Sequence, residues 1–207
     1  MKRKKIYFTS DWHLFHENVL RFDNRPFKDL EHMHKVLINN YNSTVTENDV
    51  CYFLGDVGLC KPSTMRPIIE QLKGTKILIL GNHDGGVNAM YECGFDLVIN
   101  AATIYIANER VTLSHCPLRG IPRENTEGMR GRKEGENWHG ESRHQHYSIN
   151  NEGQFHLHGH IHSPNSGKSK KILDKQYDIG VVANKYRPVS VSQIESWISL
   201  YKQQNSG

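Results

Sequence analysis

The chain reads as an α/β fold built on a parallel sheet, and three features predict it. Four short runs of β-branched and aromatic residues each end abruptly in polar residues. Stretches with helical spacing separate the first three of these runs, and further strand-like runs follow once that alternation is complete. Strands that are apolar throughout suit a sheet covered on both faces, and strand–helix alternation is how parallel strands are joined. The later runs predict that the sheet becomes mixed or is joined by a second one.

The elements follow in order. The first strand is Lys5 to Thr9, opening into Asp11. Leu30, His34, Leu37, Ile38 and Tyr41 then recur at helical spacing. A second strand, Val50 to Leu54, opens into Asp56. Met65, Ile68, Ile69 and Leu72 form the next helix, for which Ser63 is the expected N-cap with Pro67 in the first turn. Lys76 to Leu80 is the third strand, before Asn82. Phe95 to Ile99 and Thr103 to Ala107 read as further strands, and Arg110 to Ser114 as one that opens into His115. Gln154 to Leu157 is a strand leading into His158, Gly159, His160, Ile161 and His162. Ser192 and Glu195 fit a capping box for a last helix with an apolar stripe of Ile194, Trp197, Ile198 and Tyr201. Residues 117–153 form a long Gly-bearing stretch without periodicity, and loops of that length are usually functional or disordered.

A chain of 207 residues can bury one substantial core, and no Pro/Gly/Ser-rich linker divides it, so one domain over residues 1–207 is expected. With 37% apolar and 23% charged residues, and no apolar run near the roughly 18 needed to span a bilayer, no membrane partner is expected. The basic start is followed by an apolar run that Asp11 and His13 cut short, which argues against a signal peptide and for a cytoplasmic protein. Cys51, Cys60, Cys93 and Cys116 show no zinc-ligand spacing and read as free thiols. The net charge of +4 traces to lysine-rich runs at residues 2–5 and 168–171 that lack interleaved aromatics, so a nucleic-acid partner is possible but not favoured. Nothing indicates the oligomeric state.

The chemistry lies at the strand ends. Asp11 and His13 are two residues apart where the first strand stops, a spacing expected to turn both side chains the same way. Asp56, Asn82 and His115 each follow a different strand, where open α/β sheets place their ligand sites, and His160 and His162 follow another. Carboxylate, imidazole and amide donors together suit Mn²⁺, Fe, Zn²⁺, Co²⁺ or Ni²⁺ better than Ca²⁺ or Mg²⁺. His16, Arg21 and Arg25 come soon after the first motif and are candidate contacts for an anionic substrate. Trp138 and His139 are candidates for a lid or stacking wall on the long loop.

Taken in order, Asp11-Trp12-His13, Gly55-Asp56, Gly81-Asn82-His83-Asp84, His115 and Gly159-His160-Ile161-His162 resemble the five-block signature of the calcineurin-like metallophosphoesterases, over residues 5–162. The resemblance implies a four-layer αββα sandwich, with two mixed sheets flanked by helices and a metal site at the strand C-terminal ends. It implies a first ion on Asp11, His13 and His162, a second on Asn82, His115 and His160, and Asp56 bridging them. Mn²⁺ is the expected metal, with Fe, Zn²⁺, Co²⁺ and Ni²⁺ as alternatives. His83 would be the catalytic residue, stabilising a phosphoryl oxygen or protonating the leaving group, while a bridging hydroxide attacks. The expected activity is that of a phosphodiesterase on a small nucleotide-like or other diester; nuclease and phosphomonoesterase are the alternatives, and a metal-binding interaction scaffold is the non-enzymatic one. Val57 and Gly58 follow Asp56 where protein Ser/Thr phosphatases carry an arginine, which argues against a protein substrate.

Overall fold

The computed structural model describes residues 4–118, 149–163 and 175–205. In chain order the elements are β1 (Ile6–Thr9), α1 (Asn18–Phe22), α2 (Leu30–Asn42), β2 (Val50–Phe53), α3 (Pro62–Ile69), β3 (Thr75–Ile79), α4 (Val87–Glu92), β4 (Leu97–Ile99), β5 (Ala102–Ile106), β6 (Glu109–Leu113), β7 (Phe155–His158), β8 (Gln176–Asp178), β9 (Val189–Ser190) and α5 (Val191–Gln204). They make a mixed α/β fold with two mixed sheets flanked by helices.

One sheet has the order β4-β3-β2-β1-β9, in which β1 to β4 are parallel and β9 runs against β1. The other has the order β5-β6-β7-β8, with an antiparallel β5–β6 hairpin followed by parallel β6, β7 and β8. Side chains alternate across a strand, and the two apolar clusters follow that alternation. Tyr7, Phe53 and Leu78 face a cluster filled by Met33, Leu37 and Tyr41 of α2, Met65 and Ile69 of α3 and Met90 of α4. Phe8, Leu54 and Ile79 face the opposite way, onto Val111, Leu113, Phe155 and Leu157 of the second sheet, where α5 adds Ile194 and Ile198.

Local chemistry sets the helix ends. The Asp29 side chain accepts from the His32 amide at 2.8 Å and so caps α2. Two expectations are corrected. Lys61 rather than Ser63 is the N-cap of α3, because Pro62 has the preset φ that opens a helix; Pro67 therefore lies inside α3, forfeits one helical bond, and the helix stops at Ile69. The capping box of α5 pairs Ser190 with Gln193, two residues before the expected pair. Among the described residues, no helix is long and apolar enough to cross a membrane.

Candidate metal centre

Because β1, β2 and β3 are parallel, their C-terminal ends lie on one edge of the first sheet, and the loops that follow are stitched together there. Asp11 N donates to Gly55 O at 3.1 Å, His13 N to Asp56 O at 3.0 Å and Leu14 N to Val57 O at 2.9 Å. The parallel pair β6–β7 does the same for the second sheet through Gly159 N and His115 O at 2.9 Å. The two halves join where His160 N donates to both carboxylate oxygens of Asp11 at 3.0 Å.

The backbone here is strained. Asp11, His13, Asp56, His160 and His162 all have φ between 44° and 70°, the left-handed region that side chains with a Cβ adopt at a cost of about 1–2 kcal/mol each. Asp11 and His13 therefore converge through left-handed turns, not through the pleat of a continued strand. Trp12, between them, turns its indole into the core against Tyr41 and Phe53. Glycine is required where the loops touch. A Cβ on Gly159 would collide with Ser10 Oγ, and one on Gly81 with Asp56 Oδ1.

The seven predicted donors come together as two groups that share a carboxylate. In the first, His13 Nε2 lies 3.0 Å from His162 Nε2, which is 3.6 Å from Asp11 Oδ1. In the second, Asn82 Oδ1 lies 2.8 Å from His115 Nε2 and 2.9 Å from His160 Nδ1. Asp56 Oδ2 stands between them, 3.6 Å from His13 Nε2 and 3.4 Å from His115 Nε2. Ligands bound at about 2.0–2.2 Å around one ion at tetrahedral or octahedral angles are about 2.8–3.6 Å apart, so the donors fit an ion in each group. The clusters Asp11–His13–His162, Asp11–Asp56–His115 and His115–Cys116–His160 could each hold a metal ion. The sequence had offered no reason to include Cys116, which adjoins His115 in the third of these.

Electrostatics point the same way. Asp11 and Asp56 are buried, and burial alone would favour their neutral forms; the surrounding imidazoles instead hold Asp56 down to about 2 and Asp11 lower still. Burial opposes a charge on His115 and His162 as well. Asp56 nevertheless raises His115 to about 9, and the carboxylates of Asp11, 3.6 Å away, and Asp23, hydrogen-bonded at 2.8 Å, raise His162 to about 10. Burial and the neighbouring His162 push His13 down to about 3. Without a cation, these carboxylates keep protons on two imidazoles.

The other predicted residues divide. His83 is on the open side of the centre: its side chain is 45% exposed, its Nε2 is 4.0 Å from Asp56 Oδ2, and its amide donates to Asp56 Oδ1 at 2.9 Å. His16 is half-buried beside the first group, with Nδ1 3.4 Å from His13 Nδ1. Arg21 is exposed in the last turn of α1. Arg25 is 4% exposed, and its donors are directed at Asp23 and at the carbonyls of Asp11 and Trp12, so it braces the first loop from behind. Asp84 accepts from the amides of Asp56, Val57 and Gly81, which makes it the brace of the second and third loops. Burial and then Asp56 push its carboxyl up to about 6. Trp138 and His139 lie outside the described residues. Asp23, which contacts His162 Nδ1 at 2.8 Å, carried no motif signal.

No family model matches the chain. It is 44% identical over 86 residues to an uncharacterized protein, MJ1445, of Methanocaldococcus jannaschii, a match that covers 41% of this chain and 49%, about half, of that relative's length. It is 29% identical over 198 residues to the Gene 66 protein of Mycobacterium phage L5, covering 86% of each chain. A novel archaeal phosphodiesterase superposes with a TM-score of 0.38 at 13% identity, over 85% of this chain and 82% of its own, a likeness too low to bear on fold or chemistry. AQ665 of Aquifex aeolicus, described as a protein of unknown function, superposes with a TM-score of 0.67 at 21% identity over 94% of this chain and all of its own; it shares the fold.

Proposed function

We propose that the chain is a two-metal phosphoester hydrolase of the calcineurin-like kind, a phosphodiesterase acting on a small nucleotide-like diester. The observation that carries this reading is the position of Asp56 Oδ2, within 3.6 Å of one imidazole nitrogen in each donor group. A carboxylate shared in this way suits a pair of ions. Asp11, His13 and His162 would hold one, Asn82, His115 and His160 the other, with Asp56 between them; the mixed O/N donors favour Mn²⁺, and admit Fe, Zn²⁺, Co²⁺ or Ni²⁺. Two bound divalent ions would supply charge neutralisation at the phosphoryl oxygens and a more acidic water.

The protein's own groups do the rest. Asp84 fixes the amides of Asp56, Val57 and Gly81, so the Asp56 and Asn82 loops hold one relative position. Asp56 Oδ1 accepts the His83 amide, which sets the ring of His83 beside the centre while leaving it open to solvent. From there Nε2 can donate to a phosphoryl oxygen or hand its proton to the leaving alkoxide. Phe22 is 70% exposed and its ring lies 6.4 Å from that of His16, an apolar surface next to the first group that suits a nucleobase.

The test is hydrolysis of bis-p-nitrophenyl phosphate by Mn²⁺-loaded protein. The reading predicts turnover that Asp56→Asn and His83→Ala depress sharply. A folded protein inert with each of the five metals would rule it out, and cleavage of oligonucleotides but not of small diesters would replace the small substrate with a polymer.

A further inference from the structure

Asp23 lies at the end of α1, outside every motif that marks the site, yet its side chain is only 8% exposed and its carboxylate meets His162. Both oxygens lie within hydrogen-bond distance of His162 Nδ1, at 2.8 and 2.9 Å. Oδ2 also accepts from Arg25, at 3.0 Å from Nε and 2.9 Å from the terminal nitrogen. A guanidinium can only donate, and an ionised carboxylate can only accept. His162 Nδ1 must therefore carry the hydrogen of this contact. In the neutral ring this leaves the lone pair on Nε2, the atom that faces His13 Nε2 and Asp11 Oδ1.

Arg25 extends the support to the rest of the first group. Its two terminal nitrogens donate to the carbonyls of Trp12 and Asp11, each at 2.9 Å. One buried ion pair thus ties His162, which follows β7 in the second sheet, to the Asp11–His13 loop, which follows β1 in the first. The second group is supported differently: His115 Nδ1 donates to the backbone carbonyl of Leu54 at 2.7 Å, a neutral partner. Both contacts select the Nε2 lone pair, but a carboxylate also makes the imidazole a stronger donor to a cation than a carbonyl does.

We propose that Asp23 is a positioning residue for the first metal position, acting through His162 and Arg25, and that it makes the two positions unequal, the first binding more tightly. This rests on the two-metal reading but not on the reaction. Its readout is therefore metal binding.

Metal-free wild type, Asp23→Asn and Asp23→Ala are titrated with Mn²⁺ by calorimetry, with His162→Ala and His115→Ala as references for the first and second positions. Asp23→Ala is expected to weaken by about 10–100-fold the step that His162→Ala abolishes. The step that His115→Ala abolishes stays within about twofold. Asp23→Asn keeps one acceptor oxygen for His162 and Arg25 but loses the charge and turns the other oxygen into a donor, so a smaller weakening of the same step is expected; it decides the matter if Asp23→Ala does not fold. An unchanged first step in Asp23→Asn, or equal weakening of both steps, overturns the proposal. Wild type that binds no Mn²⁺ overturns it together with the two-metal reading, whereas two bound ions without hydrolysis overturn only the activity.

Discussion

At the scale of single residues, the account turns on buried carboxylates that face imidazoles. Asp56 is the group that both halves of the centre share, so Asp56→Asn should lower turnover of a diester by about 100-fold or more. The pH dependence follows from the same contacts. His115 and His162 are raised to about 9 and about 10, so at pH 7 both carry protons that an ion must displace. Metal affinity should therefore climb as pH rises from 6 to 9, and calorimetry in buffers of different ionisation enthalpy should show about two protons released at pH 7. For the metal-free fold the sign is opposite. A histidine whose pKa rises on folding stabilises fully below its ordinary value of about 6.5, and that contribution is lost as pH climbs through 9 and 10. Melting temperature should fall over that window without metal and hold with Mn²⁺. The convergence of the seven candidate residues was legible in the sequence because they sit in short motifs at strand ends. Asp23 was not, because its partner His162 is 139 residues away and a single aspartate after a short helix resembles any surface residue.

At the scale of elements, the loops after the parallel strands do the positioning, and their close approach depends on missing side chains. Gly159→Ala would drive a Cβ into Ser10 Oγ, so it should cost about 1–3 kcal/mol and weaken Mn²⁺ binding as well. Asp29→Ala is the contrasting change. It removes the cap of α2 on the far side of the first sheet's core, and should cost about 1 kcal/mol in denaturant unfolding with turnover intact. Strands β1 to β7 were legible because uninterrupted β-branched and aromatic runs have few other uses; β8 and β9, at three and two residues, are too short to show such a run. Helix starts were less so. By composition Ser63 is a better cap than Lys61 and Ser192 as good a one as Ser190, and only Pro62 and the end of β9 decide where α3 and α5 begin. The left-handed turns at Asp11, His13, Asp56, His160 and His162 were invisible, because nothing in those residue types announces a positive φ that tertiary contacts impose.

At the scale of the whole molecule, the two sheets meet at the centre: Asp11, His13, Asp56 and Asn82 come from the first, and His115, His160 and His162 from the second. Cations held across that seam should act as a staple. With Mn²⁺ at one hundred times its dissociation constant, mass action adds about 2.7 kcal/mol per site, which should raise the melting temperature by several degrees and be reversed by a chelator. The parallel core was legible in the alternation of strand and helix, whereas the layering of two mixed sheets between helices came from the family resemblance, because alternation alone does not say which face of each strand a second sheet covers. The measurement that tests the central claim most directly is turnover of bis-p-nitrophenyl phosphate as metal-free protein is titrated with Mn²⁺ and bound metal is counted in parallel. The account predicts little turnover with the first equivalent and a steep rise as the second binds. Full turnover at one equivalent, or turnover that persists in excess chelator, would contradict it.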